Sequence, residues 1–234
     1  AEARTLCDLA ARHKTTVQVG HTERFNPAVR AVAAMNLTPR FIEVHRVSPM
    51  TFRSMDVGVV MDVMIHDIDI VLTFVKSPLK RVEAAGVGVI GEPEDVCNAR
   101  LVFENGCVVN ITASRLALKT ERRMRLISED GYVSLDYQGR GGFVIRKDNN
   151  ADLLRIVRQK IESGADLSSI DYSNLIRVDE LKMDLPAGEE DPLTAELTAF
   201  LDAACQKSPP VVDVRAGYAA VEVAHMIIDA MKQH

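Results

Sequence analysis

Between Val57 and Val75 the chain reads VGVVMDVMIHDIDIVLTFV. This run is apolar nearly all the way round and predicts a buried helix. Asp62, His66, Asp69 and Thr73 interrupt it at spacings of four, three and four, which puts them on one narrow stripe of a regular helix, while Asp67 points elsewhere. A carboxylate four residues before a histidine can orient the imidazole and raise its basicity, so Asp62 and His66 form a candidate general acid/base pair. The same two residues on a solvated face would be an ordinary i,i+4 ion pair. One histidine with two carboxylates also suits iron, zinc or manganese, but no other histidine cluster accompanies it. The apolar surroundings favour the acid/base reading. A polar stripe on a buried helix needs something polar opposite, and a substrate cleft is one answer.

Other chemistry-bearing residues sit at strand ends. Thr16–Gly20 (TVQVG) reads as a short buried strand, and His21-Thr22-Glu23-Arg24-Phe25 leaves its C-terminal end, the edge where open α/β sheets bind ligands. Arg24 suits a carboxylate, a phosphate or a hydroxyl there, or an ordinary surface position. His21 and the pair His45-Arg46 carry the same two readings, since a histidine in a strand is commonly just packed. Met61 and Met64 are core filler. His13, His225 and His234 are assigned to structure or surface.

The elements that must position these groups follow from periodicity. Residues 1–13 form an amphipathic helix that begins without an N-cap, so the chain reads as starting inside a helix, with a piece expected upstream. Asn26-Pro27 opens a second helix by cap-then-proline logic. Arg40 to Val47 alternates as a strand. From Lys80 onward the character becomes antiparallel β: six strand-like runs reach Arg146, with hairpin turns at Glu104-Asn105-Gly106 and Glu129-Asp130-Gly131. A helix is expected over Asn150–Ser163 and an extended run over Ser173–Leu185. Asp191-Pro192 and Asp213 start two last helices. The architecture is α/β leading into α+β.

Composition narrows the class. A chain of 234 residues with 47% hydrophobic and 26% charged residues can bury a sizeable core. A net charge of −5 and a pI near 5.7 argue against a nucleic-acid binder. The acidic and imidazole groups inside the central helix make it a costly membrane span. No signal-peptide pattern occurs, and Cys7, Cys97, Cys107 and Cys205 lie far apart without a C-x-x-C, so buried free thiols in a reducing, cytoplasmic compartment are expected, with a disulfide pair the alternative reading. One G-x-G-x-x-G occurs, at Gly86 to Gly91, but it ends a strand-like run and is followed by Glu92-Pro93-Glu94 and another strand-like run rather than a helix, and no G-x-x-x-x-G-K is present.

The order VGHTERFNP, DVMIHDID, a β-meander with FENG, and DPLTAELTAFLDAACQKSPPVVDVRAGYAAVEVA resembles the glucose–fructose oxidoreductase/inositol dehydrogenase (Gfo/Idh/MocA) family over essentially the whole chain. The resemblance implies an oxidoreductase that uses NAD or NADP on a hydroxyl of a sugar, cyclitol or nucleotide-sugar. It implies residues 1–22 as the last helix–strand unit of a Rossmann fold. Residues 23–234 would be a substrate-binding and oligomerisation domain with a large, mainly antiparallel open sheet covered by helices on one face. Asp62 and His66 match the family's catalytic Asp and His. Its Glu-Lys-Pro lysine and its dinucleotide fingerprint have no counterpart here, so this chain by itself is expected to be inactive. The site set is then Asp62 and His66 for catalysis, Arg24, Arg46 and Asp69 for substrate, and His21 and Arg24 for the cofactor, with no metal ligand. The wording VGHTERFNPAV leans toward members acting on nucleotide-linked amino sugars. The alternative is a non-catalytic ligand-binding or assembly domain that lacks the cofactor half. A homodimer or homotetramer through the free sheet face is expected, with Val108, Ile111, Leu126 and Val133 read as outward apolar residues.

Overall fold

The alternating runs in the middle of the chain join into one sheet. The computed structural model describes residues 2–51, 56–139, 141–147, 151–164, 177–181 and 191–233. Its strands are β1 (Pro39–Val47), β2 (Leu79–Val87), β3 (Val96–Phe103), β4 (Val108–Ser114), β5 (Glu121–Ser128), β6 (Gly131–Asp136), β7 (Gly141–Arg146) and β8 (Asp179–Glu180). They pair in the order β2-β3-β4-β1-β5-β6-β7-β8. β1 and β4 run parallel, and the other described pairs are antiparallel. This is the large, mainly antiparallel sheet expected, with β8 from the extended run added at its edge. Most of the remainder of that run lies outside the described residues. The β3–β4 hairpin turns at Gly106, whose φ of +83° favours a residue without Cβ.

One face of the sheet is the core. Ile42, Val44, Leu101, Val109, Ile111, Met124, Leu126, Val133 and Leu135 are all buried there. Against them pack α2 (Pro27–Ala34), α3 (Ile65–Val75) and α6 (Val214–Met231). Ile68, Ile70 and Val71 of α3 are fully buried, each worth about 1.5–3 kcal/mol of apolar transfer. Ile111, Leu126 and Val133 therefore do not face outward as expected; they line the core. Val108, three residues from Ile111, necessarily lies on the opposite face of β4. The outer face carries a different apolar row, in which Val102, Val108, Phe41, Ile127, Tyr132 and Ile145 are register neighbours across six strands. Beside it run polar pairs, including Arg125–Glu43 at 2.7 Å and Asn98–Thr112 at 2.8 Å.

The front of the chain departs from expectation. Helix α1 (Glu2–His13) packs on α6. Thr16–Gly20 forms no strand: Gln18 makes one isolated bridge to Asp213, and Val19 N donates to Val212 O at 2.9 Å. A strand needs a neighbouring strand along its length, and among the described residues the backbone of this segment pairs across only with Val212 and Asp213. A Cβ on Gly217 would lie 2.6 Å from Val19 Cγ2, so α6 and this segment touch closely. α4 (Ala151–Glu162) fills the helix expected after β7, and α5 (Pro192–Ala204) the one at Asp191. Cys7, Cys97, Cys107 and Cys205 are free thiols. No helix of the described residues is long and apolar enough to cross a membrane.

Candidate active site

The central helix does not begin as a regular α-helix. Val60–Met64 is a single π turn, in which Ile65 N donates to Val60 O, and α3 follows. A π turn holds more residues per turn, so a step of four no longer returns to the same face. Asp62 accordingly stands exposed to solvent, and among the described residues no hydrogen bond joins it to His66. The expected Asp62–His66 pairing is absent for that reason. His66, at the start of α3, lines a cleft of about 500 Å³.

Two arginine–carboxylate pairs brace the helix on either side of His66. Arg24 is fixed at the end of a 3₁₀ turn (Thr22–Phe25), which Asn26 leaves by capping α2 through Ala28 N at 3.0 Å. It donates to both oxygens of Asp69, at 2.6 and 2.8 Å, and Asp69 is almost fully buried. Asp69 is thus committed to Arg24, and Thr73 Oγ1 bonds back to Asp69 O at 2.9 Å, which satisfies the lower part of the polar stripe. Arg24 lines a second cavity of about 290 Å³, not the His66 cleft.

The other brace is Arg46, which alternation along β1 sends inward with Ile42 and Val44. Its Nε and Nη2 donate to Asp67 at 2.6 and 2.9 Å, and Nη1 donates to Glu23 at 3.0 Å. Its guanidinium carbon lies 5.6 Å from the centre of the Tyr137 ring. Burial pulls the Arg46 pKa down, but Asp67 and Glu23 overcome that and raise it, so this arginine stays charged. Asp67, Glu23, Arg122 and Tyr137 were absent from the sequence-derived site set. Arg46, Glu23, Arg122, Tyr137 and His66 share the cleft wall with Thr22, Asn26, Gln138 and Asp191.

His66 has its pKa lowered by burial first, then by Arg46 and by His21. It is therefore neutral, the form that can accept a proton, at ordinary pH. His21 sits edge-on to it, with ring centroids 5.8 Å apart and the planes at 86°. Burial lowers the pKa of His21 too, and its Nδ1 is buried without a hydrogen-bond partner. Thr22 Oγ1 donates to Glu196 Oε2 at 2.6 Å, tying this turn to α5. Among the described residues, no three His, Cys, Asp or Glu side chains are grouped so as to hold a metal ion.

The helix-backed open sheet thus carries a polar, arginine-braced cleft of small-molecule size with a neutral imidazole on its wall. Residues 28–134 match the family profile described as the GFO/IDH/MocA C-terminal domain. It is 34% identical over 137 residues to the UDP-N-acetylglucosamine 3-dehydrogenase of Acidithiobacillus ferrooxidans, covering 58% of this chain and 44% of that protein. The chain thus spans less than half the length of that curated relative. A solved structure of the same enzyme superposes with a TM-score of 0.82 at 26% identity, over 99% of this chain and 67% of that one. Levoglucosan dehydrogenase in complex with NADH and L-sorbose shares the fold, with a TM-score of 0.77 at 14% identity over 99% of this chain and 68% of that one.

Proposed function

We propose that this chain is the substrate-binding and proton-transfer part of an NAD(P)-dependent oxidoreductase that oxidises a hydroxyl of a sugar or nucleotide-sugar. The observation that carries the reading is His66, a neutral imidazole on the wall of the cleft, in a chain whose relatives include sugar and nucleotide-sugar dehydrogenases. His66 takes the hydroxyl proton as the carbon is oxidised. Arg46 is held in place by Asp67 and Glu23 and offers the cleft a fixed cation beside His66. Arg24–Asp69 fixes the depth of α3 against the turn that carries His21.

A nicotinamide group, when bound, supplies the hydride acceptor. The residues present fit one part of it. The orphaned Nδ1 of His21 is available for a single hydrogen bond to a carboxamide. Two of the three guanidinium nitrogens of Arg24 are taken by Asp69, which leaves Nη1 for a neighbouring oxygen. The pyrophosphate of a dinucleotide is ordinarily cradled by a glycine-rich turn that opens a helix; Gly86 to Gly91 leads from β2 toward β3 instead, so no residue of this site is assigned to it.

The test is turnover by the protein expressed from its complete reading frame, followed by nicotinamide absorbance on a panel of sugars, cyclitols and nucleotide-sugars. His66→Ala is expected to lower kcat by roughly 10²–10⁴, the range for losing a general base. Wild-type turnover in that variant removes His66 from the mechanism. Self-association is proposed through the outer-face row from Val102 to Ile145, which is too apolar to stay in water across six strands. Phe41→Glu is expected to dissociate the dimer or tetramer, and a monomeric wild type by light scattering at micromolar concentration contradicts it.

A further inference from the structure

Arg122 stands directly opposite Arg46 across β1 and β5, with both side chains on the core face. Like charges in directly opposed positions destabilise a sheet, so a second arginine there needs its own counter-charge. Arg46 has one. Both oxygens of Asp67 serve it, and Glu23 Oε1 accepts from it at 3.0 Å. Arg122 has far less. Its ion pair is with that same Glu23 oxygen, at 3.5 Å, and its side chain remains 45% exposed. The other oxygen of Glu23 is engaged by Asn26 Nδ2 at 3.1 Å. Asp191 lies on the same cleft, but its Oδ2 accepts from Thr194 N and Oγ1 at 2.9 and 2.8 Å. His66 is neutral. Arg122 is therefore the least compensated cation on the wall of the 500 Å³ cleft, which falls in the size range of small-molecule sites.

We propose that Arg122 is the anion subsite of this cleft and takes the oxygens of a phosphate or diphosphate joined to the sugar that His66 acts on. This rests on the dehydrogenase reading above and narrows it, from sugars in general to phosphorylated or nucleotide-linked ones. A guanidinium presents a planar fork that matches phosphate geometry. The loose contact it gives up to Glu23 is a half-exposed pair of little worth, and Glu23 keeps Arg46 and Asn26 as partners. The opposed arginines are then a local cost of the empty sheet, relieved when an anion arrives.

The test is titration calorimetry of the protein expressed from its complete reading frame with UDP, with glucose 1-phosphate and with NADH, on wild type and on three variants. Arg122→Gln is expected to lose UDP affinity by about 10–100-fold, the loss of one or two charge-assisted hydrogen bonds. Arg122→Lys should keep part of it. Arg123→Gln, the next residue and on the outer face, should stay within twofold. The melting temperature of Arg122→Gln should match or exceed wild type, because a like-charge pair has been removed. UDP bound more tightly than glucose 1-phosphate assigns the anion to a nucleotide diphosphate, and the reverse order assigns it to a sugar phosphate. No binding of either by wild type, equal binding by Arg122→Gln, or an equal loss of NADH affinity overturns the proposal. Arg122-dependent binding of UDP in a protein that oxidises no sugar leaves the subsite standing and removes the dehydrogenase reading instead.

Discussion

Two arginine–aspartate pairs in this molecule are nearly identical by ordinary measures. Arg46–Asp67 and Arg115–Asp95 each close at 2.6 Å, and in each the arginine side chain is 6% and the aspartate 0% exposed. They differ in what completes their hydrogen bonding. Asp95 also accepts from Val89 N and Ile90 N, both at 2.7 Å, and Arg115 Nη1 donates to Val57 O at 2.8 Å. Those further partners are backbone groups, and they lock the loop after β2 to the chain entering the central helix. Arg46 instead spends its third nitrogen on Glu23, a titratable side chain on the cleft, and sits over Tyr137. Burial and pairing therefore do not mark a functional arginine. The nature of its remaining partners does, because a backbone partner closes a network and an ionisable one at a cleft leaves it open to a ligand.

Breaking the two pairs in turn sharpens that contrast. The largest effect is expected from Asp67→Asn. It leaves Arg46 a buried cation held chiefly by Glu23, which is expected to cost about 3–5 kcal/mol of stability. It also removes one of the carboxylates that favour the protonated form of His66, so activity should fall even when measured per folded molecule. Urea melts combined with steady-state kinetics check both halves. A variant that loses stability but keeps kcat/KM places Arg46–Asp67 in the same purely structural class as Arg115–Asp95.

Asp95→Asn is expected to do less to catalysis. An asparagine oxygen can still accept from Val89 N and Ile90 N, but its amide nitrogen then faces Arg115 Nε, so stability should fall by an amount comparable to Asp67→Asn while kcat and KM do not move at permissive temperature. Its signature is in acid. The backbone N–H groups of Ile90 and Val89, then Arg115, hold the Asp95 carboxyl down to about 2, from an ordinary 3.8. A depressed carboxyl pKa stabilises the fold above the ordinary value, and that contribution fades as pH falls from about 4 toward about 2. Thermal melts of wild type should steepen in their pH dependence over that window, and those of Asp95→Asn should be flatter. An unchanged acid limb in the variant removes Asp95 from the account. The lowered pKa of His66 acts higher up: the unfolded imidazole protonates first as pH drops below 6.5, so a further loss of stability belongs there.

Much of this arrangement was legible before any coordinates. Cap-then-proline at Asn26 and Asp191, and the hairpin turn at Gly106, are local chemistry and hold in the structure. The alternation in RFIEVHRV that buries Ile42 and Val44 must also bury Arg46, and a buried arginine demands a carboxylate; Asp67, set in an apolar helix, was the available answer and could have been found that way. Arg122 and Glu23 could not, because Arg122 meets Arg46 only through the long-range register of β1 with β5, and Glu23 reaches it from the separate Thr22–Phe25 turn. Which face of the sheet is covered is likewise a tertiary fact: alternation groups residues by face without saying which face meets the helices, and Ile111, Leu126 and Val133 went to the covered side. The strand expected at Thr16–Gly20 failed because strand formation depends on a neighbour that a local pattern cannot supply.

The smallest effect is expected where the sequence promised the most. Asp62 stands four residues before His66, the spacing that makes a carboxylate–imidazole pair on a regular helix. The π turn over Val60–Met64 rotates it out of that geometry and into solvent, while Glu94 Oε1 accepts from Val60 N at 3.0 Å and holds the turn from outside. The carboxylates that do act on the imidazole are Asp67 and Glu23, both of which favour its protonated form against burial and Arg46. Asp62→Asn should therefore change kcat by less than about threefold, against the roughly 10²–10⁴ expected at His66. Its pH–rate profile should keep the wild-type acid limb, because nothing that tunes His66 has moved. A large fall in kcat with the acid limb displaced would mean that the helix regularises when substrate binds, restoring the four-residue spacing and bringing Asp62 back to His66. In that event the π turn is the mobile part of the site, and Glu94→Gln, which loosens it, should alter kcat when Asp62 is present and have no effect in the Asp62→Asn background.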